Sequence, residues 1–138
     1  MMGRPEEITD FFADYAGYFA QVRSQENRNI LDKIDAYVKE HYMEKISLRS
    51  LGEMFYINNV YLGQLYKKRY HIVFRDYLNQ LRLEKAKELL EDTDTRIYRI
   101  AEETGFGKAD YFINKFVQVY GITPNQYRMK FKKSGRGN

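Results

Sequence analysis

A chain of 138 residues with 43% hydrophobic and 16% aromatic content holds enough apolar material for one domain or two very small ones. It has no cysteine, which excludes a disulfide framework and a thiolate metal site, and no apolar run nears bilayer-spanning length; with no signal peptide, a cytoplasmic protein with no membrane partner is expected. The net charge of +4 is uneven: residues 1–27 hold two basic and five acidic residues (net −3), residues 28–138 hold 21 basic and 14 acidic (net +7), and a basic surface supplies the sequence-independent part of nucleic-acid affinity.

Taken in chain order, Ile8, Phe11, Phe12, Tyr15, Tyr18, Phe19 and Val22 recur at three and four residues and predict an amphipathic helix. The heptad-like subset Phe11, Tyr15, Tyr18 and Val22 permits a short homodimer seam, which Gln25 and Asn29 interrupt. The polar stretch Ser24 to Asn29 predicts a break, and Ile30, Leu31, Ile34, Tyr37 and Val38 a second helix ending near His41 to Lys45.

From there the chain says the same thing twice. Leu48, Leu51, Gly52, Tyr61, Leu62, Tyr66, Ile72, Phe74 and Tyr77 are echoed by Ile97, Ile100, Ala101, Tyr111, Phe112, Phe116, Ile122, Pro124 and Tyr127. The offset is 49 before the turn and 50 after it, so the second copy has one extra turn residue. Each copy reads as a helix-turn-helix: a short helix with its apolar pair on one face, a small residue that admits close approach, a turn and a second helix. Phe74, Leu78, Leu81, Ala86, Leu89 and Leu90 define a long helix between the copies, and Thr123 with Pro124 reads as cap and first residue of a last helix. The tail Lys132 to Asn138 is basic and glycine-containing, with a frayed end expected. The expected fold is all-α, with two helix-turn-helix units at about 47–71 and 96–121, a linker helix at about 74–92, and a division into residues 1–27 and 28–138.

Such a unit meets DNA through polar or small residues on the outer face of its second helix. In the first copy the candidate base readers are Asn58, Asn59, Val60 and Gln64, with Gly63 unable to read; in the second they are Lys108, Asp110, Ile113 and Asn114. Glutamine pairs with adenine through two hydrogen bonds, asparagine does likewise, and valine touches a thymine methyl. Candidate phosphate contacts are Lys67, Lys68 and Arg69 at the end of the first reading helix, Lys115 in the second, Arg49, and the expected helix caps Ser47 and Thr95. The aromatic set Tyr61, Tyr66, Phe74, Tyr77, Phe112, Phe116 and Tyr127 reads as core packing rather than base stacking, because its spacing is helical and repeated.

The residues from about Asn29 to Phe131 resemble the DNA-binding domain of AraC-type transcription regulators, and within these the output domain of YesN-type two-component response regulators. The resembling stretches are Ile57 to Lys68, Tyr77 to Leu90, Ile97 to Phe106, Asp110 to Ile113 and Gly121 to Arg128. The resemblance implies a seven-helix domain in which each unit sets a recognition helix in the major groove. It also marks departures: His71 stands where the family usually has a glycine, so a rearranged helix end is expected there. Asn59 replaces a common proline, Tyr56 a common glycine, and Val117 and Gln118 stand where lysine is frequent.

Partners on this reading are double-stranded DNA, an upstream receiver domain outside this chain, RNA polymerase and, through the N-terminal helix, a second copy. The competing reading is an interaction module whose basic face engages an acidic protein partner, such as a polymerase subunit or a histidine kinase, and binds no DNA. His41 and His71 are isolated, no glycine-rich phosphate loop is present, and the pairs Asp92 with Asp94 and Glu102 with Glu103 read as a loop and a solvated face. No catalytic residue, metal site or cofactor is expected.

Overall fold

The computed structural model describes residues 5–133, with side chains described from Arg23 onward. All regular structure among these residues is helical: α1 (Pro5–His41), α2 (Leu48–Phe55), α3 (Asn59–Tyr70), α4 (Phe74–Asp92), α5 (Ile97–Glu103), α6 (Ala109–Tyr120) and α7 (Pro124–Phe131). The apolar face expected at Ile8 to Val22, and with it the dimer seam, lies outside the described side chains, as does the tail beyond Lys133.

The break expected at Ser24 to Asn29 is absent, and α1 runs through it unbroken. The stretch contains no glycine or proline, and Gln, Glu and Arg are good helix formers. Its polarity reports exposure instead: every residue of it faces solvent except the half-buried Asn27.

Two apolar cores divide the molecule. The first gathers Leu31, Ile34 and Val38 of α1 with Leu51, Leu62, Tyr66, Phe74, Tyr77 and Leu78. The second gathers Leu83, Ala86, Leu90, Ile100, Ala101, Phe106, Phe112, Phe116 and Tyr127. The helix α4 belongs to both, giving its first turns to one and its last to the other. Fully burying one such Leu or Phe stabilises by roughly 1.5–3 kcal/mol, so α4 is anchored strongly at both ends. Between the cores α4 carries the buried polar residues Asn79 and Arg82. The Arg82 side chain donates from Nε to the Tyr42 carbonyl at 2.7 Å and from Nη2 to the Glu44 carbonyl at 2.9 Å, tying α4 to the chain that leaves α1. Burial lowers the Arg82 pKa from its ordinary value.

The repeat accounts for the two turns. In the first unit the Ile57 amide donates to the Gly52 carbonyl at 3.0 Å, and in the second the Gly107 amide donates to the Ala101 carbonyl at 3.0 Å, one residue later. A methyl on Gly52 would lie 2.6 Å from the Ile57 carbonyl oxygen, which is why the tighter turn requires glycine and the longer one accepts alanine. Tyr61, expected in the core, is 36% exposed and its hydroxyl accepts from the Asn27 amide of α1.

Helix ends follow local chemistry. Ser47 and Thr123 cap α2 and α7 through reciprocal capping boxes with Ser50 and Gln126, and Pro124 opens α7. Thr95 does not cap α5: Arg96 holds that position without a side-chain hydrogen bond, and the Thr95 hydroxyl pairs with Thr93 at 3.0 Å. Nor is the end of α3 rearranged at His71. The histidine takes the left-handed conformation (φ 65°) and its amide closes the helix on the Lys67 carbonyl, as Gly121 does on Val117 in the second unit.

Candidate nucleic-acid interface

A reading helix needs its inner face locked, so that its outer face is presented in one orientation. On α3, Leu62 and Tyr66 are fully buried; on α6, Phe112 and Phe116 occupy the matching places fifty residues on. The opposite faces are consequently exposed. On α3 they carry Asn59, Val60 (65% exposed) and Gln64, and on α6 Asp110, Asn114, Val117 and Gln118. Gly63 is half-buried: a methyl there would lie 3.0 Å from Leu48 Cδ1, so this glycine lets α3 cross α2 closely.

Several sequence-expected readers have local duties. Asn58 is the N-cap of α3, its Oδ1 accepting from the Tyr61 amide at 2.9 Å, so its side chain is turned toward its own helix. Lys108 holds the N-cap position of α6 and is exposed, while Asp110 sits in the first turn, where the helix dipole favours an acid. Ile113 is half-buried. Exposed amide side chains with the donors and acceptors for a base edge are Asn59 and Gln64 on α3 and Asn114 and Gln118 on α6.

The phosphate candidates divide in the same way. Lys67 and Lys68 are exposed and make no ion pair among the described residues, whereas Arg69 turns back to α1 and holds Asp32 at 2.7 Å. Arg49 pairs loosely with Glu53 at 3.7 Å, both side chains largely in water. The Lys115 ammonium stands 5.6 Å from the centre of the Tyr111 ring. Ser47 is engaged with Ser50, and Thr95 with Thr93. Tyr61 and Tyr111, equivalent residues of the two units, are 36% and 37% exposed; the repeat alone does not separate Tyr61 from the buried aromatics.

The helix α3 is braced from behind by a buried carboxylate. Asp35 on α1 accepts hydrogen bonds from the hydroxyls of Tyr66 at 3.2 Å, Tyr77 at 2.6 Å and Tyr70, with Lys39 at 3.6 Å. Burial first, and then the Asp35 charge and hydrogen bonds, hold the Tyr66 and Tyr77 pKa values well above the ordinary tyrosine range. Asp35, Asp32 and Asn27 thus fasten α1 along α3 at residues 66, 69, 70 and 61. The same helix that leads into the domain supports α3.

A family model described as a helix-turn-helix domain matches residues 51–130. The C-terminal domain of AraT, a response regulator from Geobacillus stearothermophilus, is 33% identical and shares the fold with a TM-score of 0.75 over 79% of this chain and 91% of that one. The C-terminal domain of the two-component response regulator yesN from Fusobacterium nucleatum is 42% identical, with a TM-score of 0.69 over 72% of this chain and 98% of that one. The uncharacterized HTH-type transcriptional regulator YijO of Escherichia coli K12 is 32% identical over 118 residues, 86% of this chain and 41% of its own length. The chain spans about two fifths or less of the first curated relatives it matches. With a doubled helix-turn-helix on one connecting helix, and with near full-length counterparts of the same fold, this chain belongs to the AraC-type family of helix-turn-helix DNA-binding transcription regulators.

Proposed function

We propose that this domain is the output unit of a two-component response regulator and reads a two-part duplex site, α3 entering one segment of the major groove and α6 the next. The observation that carries the reading is the pair of equivalent exposed polar faces, Asn59 to Gln64 and Asp110 to Asn114, held on one connecting helix, α4. The net charge of +7 on residues 28–138 supports it, since each phosphate neutralised adds to affinity and to its salt dependence. The likeness to response-regulator C-terminal domains supports the output role, with α1 as the connection to a receiver domain. The reading is of a regulator and not a catalyst.

Base contacts fall to Gln64 on α3 and Asn114 on α6, with Asn59, Val60, Lys108 and Asp110 beside them; phosphate contacts fall to Lys67, Lys68 and Arg49. The test is selection of bound sites from a random duplex pool, followed by footprinting of Gln64→Ala and Asn114→Ala. Each variant is expected to relax preference by about 1–3 kcal/mol at one base position, and the two positions are expected in different halves, about one helical turn apart. Disturbance of the same base pairs by both variants would sink the two-part reading. Retention of fold without duplex binding at low salt would favour a protein-interaction module.

A further inference from the structure

The two units meet at Arg82 but leave a space beside it. Between them lies a cleft of about 430 Å³, walled by the amino end of α2 at Ser47, by Arg75, Asn79 and Arg82 on α4, and by Tyr111 in the first turn of α6, over an apolar floor that includes Phe74 and Leu78. Two of the residues lining it are arginines and none is an acid. Arg75 is exposed and makes no ion pair among the described residues. Asn79 is only 7% exposed, yet its amide has no hydrogen-bond partner among the described residues and neither of its polar atoms is sealed from solvent. The Asn79 amide therefore lies deep in the fold with its polar atoms still open to solvent, a donor and an acceptor free for whatever enters the cleft. The amino end of α2 adds the amides of Leu48 and Arg49, which a helix cannot satisfy internally, and the positive end of the helix dipole.

The cleft opens beside the first turn of α6, the end of a reading helix that approaches base edges. We propose that it receives one backbone phosphate of the duplex, midway between the two groove segments, with Arg75 and Asn79 as its side-chain donors and the amino end of α2 as its third. This rests on the two-part reading above and adds a contact that the recognition helices do not make. Its role is positional: a phosphate held between the units fixes how the duplex passes from one reader to the other, and carries no sequence information itself.

The test uses the full chain, its selected duplex, and a set of duplexes each bearing one neutral methylphosphonate across the centre of the site. For the wild type, one central substitution is expected to weaken binding about tenfold, the loss of a charge-assisted contact. In Arg75→Gln and Asn79→Leu the unmodified duplex is expected to bind about tenfold more weakly, base preferences in both halves are unchanged, and that central methylphosphonate costs less than twofold. If Asn79→Leu melts at a lower temperature, Arg75→Gln, an exposed change, carries the comparison. A flat central scan in a wild type that still reads two halves overturns this inference alone, as does equal central sensitivity in variant and wild type. Saturable uptake of inorganic phosphate with no central duplex sensitivity also overturns it, in favour of a small-anion site. Failure to bind any duplex overturns the proposed function and this inference with it.

Discussion

His71 shows how a residue can hold a conformation it does not favour. Its φ of 65° lies in the left-handed region, where an L-residue other than glycine costs roughly 1–2 kcal/mol, with histidine among the more tolerant. The His71→Gly variant is therefore expected to be more stable by about 1 kcal/mol, seen as a higher urea midpoint at an unchanged slope; an unchanged or lower midpoint would mean the imidazole is held by contacts that offset the strain. Gly52 is the opposite case. A methyl there meets a backbone oxygen at 2.6 Å, and that oxygen belongs to a residue whose own amide bonds back to Gly52. Gly52→Ala is expected to destabilise by about 1–3 kcal/mol despite alanine's higher helix propensity, while Ala101→Gly in the looser second turn costs about 1–2 kcal/mol, through propensity and the loss of a buried methyl.

At the scale of elements, α3 illustrates what a linear sequence hides. Lys67, Lys68 and Arg69 look alike in sequence, but successive helical residues point about 100° apart, and the third is turned onto Asp32 of α1. Lys67→Ala is expected to lower the slope of log affinity against log salt by about one, without changing the preferred site. Arg69→Ala is expected to leave that slope alone and to reduce stability by no more than about 1 kcal/mol, as a partly exposed ion pair does. Parallel salt titrations of the two variants check both. The helices themselves were legible because their apolar period is strong: Leu62 with Tyr66 and Phe112 with Phe116 identify α3 and α6 without any structure. The continuity of α1 was not, because a polar stretch reads the same whether it is a loop or an exposed helix face. The central cleft was equally invisible, since residues 47, 75, 79 and 111 converge only after α4 has set the two units side by side. Thr95 misled for a third reason: a threonine before a helix caps it only when it is the last extended residue, and here Arg96 is.

For the molecule as a whole, two polar devices hold the parts together. Arg82 links α4 to the carbonyls of Tyr42 and Glu44, and Gly105 packs where a methyl would lie 2.8 Å from Arg82 Nε and 2.9 Å from the Tyr42 carbonyl oxygen, so both units meet at this guanidinium. Arg82→Met is expected to cost about 3 kcal/mol, two charged hydrogen bonds, and to separate the melting of the two cores; coincident transitions by different probes would contradict that. The Asp35 cluster governs alkaline stability. Because Tyr66 and Tyr77 hold their protons more tightly when folded than the ordinary value of 10.0, the unfolded chain binds fewer protons above pH 10. Stability from this source is fully present below about pH 10 and is lost as pH rises beyond it. Urea midpoints measured from pH 8 to 11.5 should be level and then fall, with a shallower fall in Tyr66→Phe.

The two units take opposite ends of α4 and present different side chains, Gln64 on one and Asn114 on the other. A symmetric dimer on a palindrome looks the same from either direction. This chain does not, so on the proposed two-part site the bound DNA acquires a compass bearing: turning the site end for end turns the whole protein with it. The helix α1, fastened along the first reader by Asn27, Asp32 and Asp35, then leaves the complex toward the opposite flank of the promoter.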